Sequence, residues 1–305
     1  MLLQTNTSGK EEKMSFKNMA YAKNLSEVFY QLKNNQELQI IGGCTSLKEL
    51  PDSSLSIRNI PELKNIEKRE RFFDFGAAVT LSDILYLGKK NLPPLIFDAV
   101  HTIATHTIRN LATIGGNICA EDCAYRHTLY APLLALDAKL EFQKNNETEI
   151  IPLTKFNGIP QTIPLAKLKS LKEGESSAKI NITYEKSILT KIHIPAEEWD
   201  VEIFKRLGPS HVIDEQSASF AFLANSQKGK LSNLRIAFAG HIQFRNQKLE
   251  NKLIGANLPL ADKDINDLLS EIEIEFDKAS AEATKSPMLK KQFLNLVRYS
   301  LEQLT

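Results

Sequence analysis

The stretch "IRNLATIGGNICAEDC", residues 108–123, places two glycines and an asparagine directly behind an apolar run. Glycine has no Cβ atom, so Gly115 and Gly116 allow a ligand or another chain segment to approach the backbone closely. One interpretation is a tight turn between two strands. The other is a cradle for phosphate, built from backbone N–H groups and the Asn117 side chain.

A second glycine pair occurs earlier in the chain, in "ELQIIGGCTSL", residues 37–47. Residues 37–41 have the pattern of a short buried strand, so the sequence predicts two loops in which a glycine pair follows a strand. The loops, near residues 43 and 116, could each offer several backbone N–H donors to one pyrophosphate. Neither has Rossmann or Walker spacing. Spacing alone leaves structural turns and a ligand site equally open.

Helices and strands alternate around the two loops. Apolar residues at helical spacing predict a first helix, namely Leu25, Val28, Phe29 and Leu32. Either Asn24 or Ser26 would cap it. The sequence "TLSD", residues 80–83, has the spacing of a capping box, and a proline pair at 93–94 opens another helix. This alternation indicates an α+β or α/β region rather than a β-sandwich.

The second half of the chain differs in composition. Residues 155–185 are rich in Lys, Ser, Gly and Pro without periodicity and are predicted to form a connection. Alternating residues then predict strands of one antiparallel sheet, at 187–195, 216–225 and 234–244. Helices follow from about Pro259. The predicted organisation is an unstructured segment at 1–14, a first domain over 15–185 and a smaller α+β domain over 186–305.

Composition excludes several classes of function. Lys and Arg number 38 against 37 Asp and Glu, so no field of one sign favours a nucleic-acid or membrane partner. No apolar run approaches the ~20 residues that span a bilayer, and no secretory signal is recognised, so we expect a cytoplasmic protein. Three cysteines, Cys44, Cys119 and Cys123, are too few for a four-thiolate iron–sulfur cluster. We expect no metal site, and any cluster would belong to another subunit.

Four blocks of the sequence, in order, resemble the flavin subunit of the molybdenum hydroxylases, the family of xanthine dehydrogenase and carbon monoxide dehydrogenase. The blocks are "IIGGCTSL", "IRNLATIGGNI", "PLLALDAKLEF" and "ILTKIHIP". The resemblance extends over roughly residues 15–300. It implies an α+β fold in which two subdomains bind FAD (the PCMH type), followed by a smaller domain with a three-stranded antiparallel sheet and helices.

The resemblance also implies which residues contact FAD. The first pyrophosphate loop would comprise Ile41, Gly42, Gly43, Cys44, Thr45 and Ser46, and the second Thr113, Gly115, Gly116 and Asn117. Leu189 would pack on the isoalloxazine ring, Ile103 would lie near its other face, and Lys205 would reach the flavin. For Leu189 a plain strand-core position is the alternative, and for Lys205 a solvated strand end. No residue is assigned a catalytic role.

The chain departs from the family after the second loop. Members usually continue with small residues, a Ser/Thr-Pro pair and an Asp that binds the adenosine side of FAD. Here residues 120–126 read "AEDCAYR", with Asp122 at the position of the hydroxyl and Arg126 at the position of the acid. Arginine is donor-only, so Arg126 would pair with a phosphate or with Asp122. A similar loss of this run occurs in a divergent branch of the family. That branch resembles the flavin subunits predicted for selenate reductase or selenium-dependent xanthine dehydrogenase systems.

The resemblance implies an electron-transfer function. The flavin would take electrons from two-iron clusters on an iron–sulfur subunit and pass them onward to NAD+, while a molybdopterin-binding subunit would oxidise the substrate. A non-catalytic assembly subunit with weakened or lost FAD binding is an alternative, favoured by the altered run at 120–126. A stand-alone FAD-dependent oxidase is a further alternative. The region after residue 185 shows no acid–base cluster that would support it.

Overall fold

The computed structural model describes residues 18–35, 37–120, 123–145, 147–156, 187–209, 213–214, 216–280 and 286–305, with the backbone alone at 123–127. Three sequence predictions lie outside the described residues. They are the unstructured segment at 1–14, the connection at 155–185 from residue 157 onward, and the site residue Asp122.

A parallel three-stranded sheet forms the N-terminal part of the fold. Its strands, in spatial order, are β1 (Asn18–Tyr21), β3 (Ser53–Ser56) and β2 (Gln39–Ile41). Helix α1 (Leu25–Asn34) connects β1 to β2 and buries Val28 and Leu32. The Asn24 side chain accepts a 2.8 Å hydrogen bond from the Glu27 N–H, so the helix begins where its cap and its apolar spacing predict.

A five-stranded antiparallel sheet forms the next layer. Its strands, in spatial order, are β4 (Ile66–Lys68), β5 (Phe72–Gly76), β8 (Ile188–Pro195), β6 (Lys139–Lys144) and β7 (Glu147–Pro152). Between β5 and β6 the chain forms α2 (Leu81–Tyr86), α3 (Pro94–His101), α4 (His106–Arg109), α5 (Ile114–Ile118) and α6 (Cys123–Ala135). Thr80 and Asp83 make the predicted capping box at the start of α2. One hydrophobic core joins these elements, with Phe75 and Tyr130 fully buried in it.

Among the described residues, a four-stranded antiparallel sheet and three helices form the C-terminal part of the fold. The strands, in spatial order, are β12 (Gln243–Phe244), β11 (Lys230–Ala239), β10 (Ala218–Gln227) and β9 (Val201–Leu207). The helices are α7 (Gln247–Glu250), α8 (Asp262–Ala279) and α9 (Pro287–Glu302). On β10, Phe220 and Phe222 lie in a second core with α8 and α9, whereas Ala221 and Leu223 lie in the core of the five-stranded layer. Side chains alternate between the faces of a strand, so this sheet is shared by two cores.

The structure corrects one sheet assignment. Strand β8 was expected to pair with the strands at 216–225 and 234–244, but it lies between β5 and β6, with Ile194 opposite Phe73 and Ile192 opposite Leu140. Strand β9 lies at the edge of the last sheet, where β8 was expected. With β12, the described part of that sheet has four strands rather than three. Alternation predicts that a segment is a strand but does not select its neighbour, and both sheets accept an antiparallel strand.

Two arginines join the last sheet to the end of α6. Arg235 Nη1 donates a 3.0 Å hydrogen bond to the Ala135 carbonyl, and Arg245 Nη1 donates a 2.6 Å bond to the Leu134 carbonyl. Both guanidinium groups also pair with Asp137, just beyond the helix. The last carbonyls of a helix lack intrahelical partners and carry partial negative charge, so cationic donors stabilise them. No helix in the described ranges has both the length and the apolar character needed to cross a bilayer.

Candidate phosphate-binding site

The first glycine pair leaves the carboxyl edge of the parallel sheet. Strand β2 ends at Ile41, which is buried and pairs with Ser56 at the end of β3. The Ile57 N–H then donates a 3.0 Å bond to the Ile41 carbonyl. Residues 42–46 and 57–58 therefore leave the sheet side by side. In open sheets of parallel strands, ligands bind outside this edge.

The first glycine pair packs against residues 111–113, which directly precede the second pair. A Cβ atom on Gly43 would lie 1.8 Å from the Leu111 carbonyl oxygen, and one on Gly42 would lie 3.0 Å from Thr113 Oγ1. A Cβ atom on Gly116 would lie 2.9 Å from the same Thr113 oxygen. None of these three glycines has a positive φ, so glycine serves close approach here rather than a left-handed backbone. The structure thus brings the two predicted segments together.

The backbone N–H groups of the first segment are available to a ligand. Within the part of the chain that the structure describes, those of Gly43, Cys44, Thr45 and Ser46 donate no hydrogen bond to the protein. Cys44 has a φ of 57°, in the left-handed region. Left-handed residues occur in the backbone nests whose N–H groups bind anions. Thr45 is exposed and its neighbours are partly buried, so ligand can reach these donors.

The second glycine pair lies in a helix, which corrects the prediction of a loop after a strand. Gly115 and Gly116 belong to α5, and the short helix α4 precedes them. Thr113 is the N-cap residue of α5: its hydroxyl accepts the Gly116 N–H over 3.0 Å and its carbonyl accepts the Asn117 N–H over 2.9 Å. Helices of four and five residues are too short to show an apolar period, so the sequence pattern did not indicate them.

The N–H groups of the second segment are already bonded within the protein. Ile114 donates to the Val79 carbonyl over 2.9 Å and Gly115 to the Ala77 carbonyl over 3.0 Å. The expectation that both segments offer several free donors is therefore wrong for the second one. A Cβ atom on Gly115 would lie 2.7 Å from the Ala77 oxygen, so this glycine lets α5 pack on the segment after β5. The second segment supports the first.

Arg58 lies beside both segments, and the sequence analysis did not single it out. Its Nη2 atom donates a 3.2 Å hydrogen bond to the carbonyl of Asn110, the residue before Leu111. Burial raises the pKa of the Cys44 thiol above its ordinary value, and the Arg58 charge opposes that rise. A thiol with a raised pKa stays protonated at neutral pH, which makes Cys44 a poor nucleophile.

Arg109 fixes the turn that carries Ile103. From Nη1 it donates to the carbonyls of Ile103 at 2.8 Å and Ala104 at 2.7 Å. The Ile103 side chain is partly buried against the first core. Arg109 was also missed in the sequence, and no local pattern could have identified it, because its acceptors are backbone carbonyls brought to it by the tertiary fold.

The other two predicted contacts lie in different sheets. Leu189, on β8, is 5% exposed and belongs to the hydrophobic core, as the strand-core alternative expects. The next residue, Thr190, accepts the Ala77 N–H over 2.9 Å, which links β8 to the segment under α5. Lys205 is exposed on β9, opposite Phe220. Contact of Leu189 and Lys205 with a flavin stays a prediction.

The arrangement suits the binding of a phosphate group. It combines free N–H donors, two glycines without side chains and one guanidinium at the edge of a parallel sheet. In the described ranges no group of three or more His, Cys, Asp or Glu side chains is placed to hold a metal ion. The residues present therefore fit the pyrophosphate of a nucleotide cofactor.

Known proteins with similar sequences include flavin subunits and aldehyde oxidases. The family described as "FAD binding domain in molybdopterin dehydrogenase" matches residues 14–197. The xanthine dehydrogenase FAD-binding subunit of Escherichia coli O157:H7 is 26% identical over 258 residues, covering 78% of this chain and 80% of that protein. Abscisic-aldehyde oxidase of Arabidopsis thaliana is 29% identical over 143 residues, covering 43% of this chain. The match spans only 11% of that oxidase.

The fold also matches a solved structure. A structure described as the Cu,Mo-CO dehydrogenase aligns with a TM-score of 0.72 at 17% identity, over 94% of this chain and 96% of the matched chain. This likeness confirms the predicted fold class. The family match covers more than half of the chain and includes both glycine segments. The chain therefore belongs to the family of FAD-binding domains of molybdopterin dehydrogenases.

Proposed function

We propose that this chain is the FAD-binding, electron-transferring subunit of a molybdenum hydroxylase. The observation that carries the proposal is the contact between the two glycine segments, which leaves the N–H groups of residues 43–46 free at the carboxyl edge of the parallel sheet. Family membership supports FAD as the ligand. The pyrophosphate of FAD carries the negative charge that such donors bind.

Each part of the site would have a separate task. The N–H groups of residues 43–46 would bind the pyrophosphate, and residues 111–113, which pack against Gly42 and Gly43, would hold that segment in place. Ile103, positioned by Arg109, and Leu189 would lie near the ring. Lys205 would place a positive charge near its pyrimidine end. Positive charge there favours the reduced anionic flavin.

The proposed electron route needs partner subunits. Flavin supplies transfer in both one-electron and two-electron steps. Electrons would arrive from iron–sulfur clusters on one partner and leave to NAD+, while a molybdopterin-binding partner would oxidise the substrate. The three cysteines of the chain are too few for a four-thiolate cluster of its own. The E. coli relative is itself named as a subunit, which supports a role within a complex.

A non-catalytic assembly subunit is the second candidate. The observation that favours it is the run at 120–126, where Arg126 stands at the position of the adenosine-binding acid of the family. An arginine cannot accept a hydrogen bond from a ribose hydroxyl. FAD would then bind weakly or not at all, while the fold and its partner contacts are kept.

The visible absorption spectrum of the purified full-length chain separates the two candidates. The cofactor would be released by heat, identified by chromatography and quantified. FAD near one per chain, followed by bleaching of the flavin with NADH, is the expected result. A colourless protein that takes up no added FAD would contradict the proposal and favour the assembly role. Bound FAD that NADH does not reduce would leave FAD binding intact but exclude NAD+ as the acceptor.

A further inference from the structure

We propose that Arg58 is a phosphate-binding residue of this site and clamps the cofactor pyrophosphate onto the first glycine segment. This inference rests on the proposed function, because it assumes a ligand with a pyrophosphate. It adds a charged side chain to the pyrophosphate site, which the sequence resemblance assigns to the two glycine segments.

The position of Arg58 follows from the register of the parallel sheet. Ile41 and Ser56 are paired at the ends of β2 and β3. Gly43 and Arg58 each lie two residues beyond that pair, so both lie beyond the same edge of the sheet, at equal distances along the chain from it. A side chain from Arg58 can therefore reach a ligand that rests on the N–H groups of residues 43–46.

The hydrogen bonding of Arg58 leaves most of its donors free. A guanidinium group has five N–H donors in a planar fork. One of them is used by the 3.2 Å bond to the Asn110 carbonyl, and no other hydrogen bond of Arg58 occurs among the described residues. That bond orients the group next to Leu111, whose carbonyl oxygen faces Gly43. Arg58 is thus anchored to one segment while it adjoins the other.

The charge of Arg58 is not neutralised by the described part of the protein. Arg69, Arg235, Arg245 and Arg298 each lie within 4 Å of a carboxylate, whereas Arg71, Arg109 and Arg206 form no ion pair with the described residues. Arg58 likewise has no carboxylate partner in the described ranges, and it is the one of these arginines that adjoins the first segment. Its field does reach the first segment, since it opposes the burial-induced rise in the pKa of Cys44. A partly buried guanidinium without a carboxylate favours an anionic ligand, and its fork matches phosphate oxygens in pairs.

The inference offers a physical reason why the run at 120–126 can diverge. Loss of an acid on the adenosine side removes a contact to the ribose, whereas a guanidinium on the pyrophosphate adds a charge-assisted contact elsewhere on the same ligand. The site would then depend more on the phosphates and less on the adenosine. Affinity for FAD should accordingly fall steeply as salt increases.

Titration of Arg58 variants with three ligands tests the inference. FAD, ADP and riboflavin would be titrated into the wild type, Arg58→Gln and Arg58→Lys, with Arg298→Gln as a control that also removes one positive charge. For Arg58→Gln we expect dissociation constants for FAD and ADP to rise about 10- to 100-fold, as for a lost charged hydrogen bond. Riboflavin, which has no phosphate, and the Arg298→Gln control should be unchanged. Arg58→Lys should fall between, since lysine keeps the charge but loses the fork.

The outcomes separate this inference from the proposed function. Wild type that binds FAD, with an Arg58→Gln variant within twofold of it for both FAD and ADP, overturns the inference and leaves the proposed function intact. Wild type that binds ADP but not FAD overturns the proposed function, and the ADP titrations then decide on Arg58. Wild type that binds neither overturns both. If Arg58→Gln does not fold, Arg58→Lys carries the test, and an affinity for ADP equal to that of the wild type refutes the clamp.

Discussion

Replacing Gly43 by alanine should force the two glycine segments apart. The added Cβ atom would lie 1.8 Å from the Leu111 carbonyl oxygen and 2.6 Å from its carbon, whereas real Cβ atoms essentially never come within 3.0 Å of such atoms. The segments must therefore separate by at least 1.2 Å, the difference between 3.0 and 1.8 Å. The obstacle is backbone on both sides, so no side-chain rotation relieves it.

The size of the effect follows from that displacement. Overpacking of this kind costs about 1–3 kcal/mol of folding free energy. A hydrogen bond of about 2.9 Å stretched by 1.2 Å is no longer a hydrogen bond. Loss of one charge-assisted contact to phosphate should raise the dissociation constant for FAD about 10- to 100-fold.

Paired titrations of Gly43→Ala and Gly42→Ala provide the measurement. The tightest contact of a Cβ atom on Gly42 would be the Thr113 hydroxyl at 3.0 Å, a side-chain atom that needs to shift by only a few tenths of an ångström. We expect Gly42→Ala to stay within about threefold of the wild type in FAD affinity. Urea unfolding would give the stability of each variant. A Gly43→Ala protein with wild-type stability and wild-type FAD affinity would refute the close contact and the reasoning built on it.

Four further perturbations test other parts of the structure. Burial raises the pKa of Glu202, so the protonated side chain stabilises the fold below the ordinary glutamate pKa, and this stability is lost as pH rises. Urea unfolding should therefore show Glu202→Gln to be more stable than the wild type at pH 7 but not at pH 4. Burial lowers the pKa of His241, so the folded protein loses stability as pH falls below the ordinary histidine pKa. His241→Phe should therefore show a smaller drop in Tm between pH 7.5 and 5.5 than the wild type. Arg245→Met should cost about 3–5 kcal/mol in urea unfolding, because it leaves buried Glu250 without its ion pair, and adding Glu250→Leu should restore part of the loss. Lys205→Met should shift the midpoint potential of bound flavin, and an unchanged redox titration would remove Lys205 from the site.

Features that depend on neighbouring residues could be predicted from the sequence. The cap at Asn24 and the box at Thr80 and Asp83 involve residues three apart, so their hydrogen bonds follow from local spacing. The sheet membership of β8 could not be predicted in this way. Its alternating residues suit either antiparallel sheet, and the choice depends on side chains from β5 and β6 that are far apart in sequence.

The candidate site was predictable in part for the same reason. Two glycine pairs behind apolar runs indicated close backbone approach, and the structure places Gly43 against Leu111. Which segment has free N–H groups was not predictable, because the acceptors of Ile114 and Gly115 come from the chain after β5. Arg58 was missed because its importance comes from the parallel pairing of β2 with β3, which no local motif encodes.

Because the four-stranded sheet is shared by two cores, the five-stranded layer depends on the last third of the chain for its packing. The family match ends at residue 197. Four residues beyond that point nevertheless belong to the core of the five-stranded layer, namely Ala221, Leu223, Ala237 and Ala239. Cutting the chain at that boundary would expose this apolar surface and remove the arginine donors from the end of α6. The end of the family match at residue 197 is therefore not the end of a separable folding unit. Recombination at that point would yield an aggregation-prone fragment, so the two parts are expected to be inherited together.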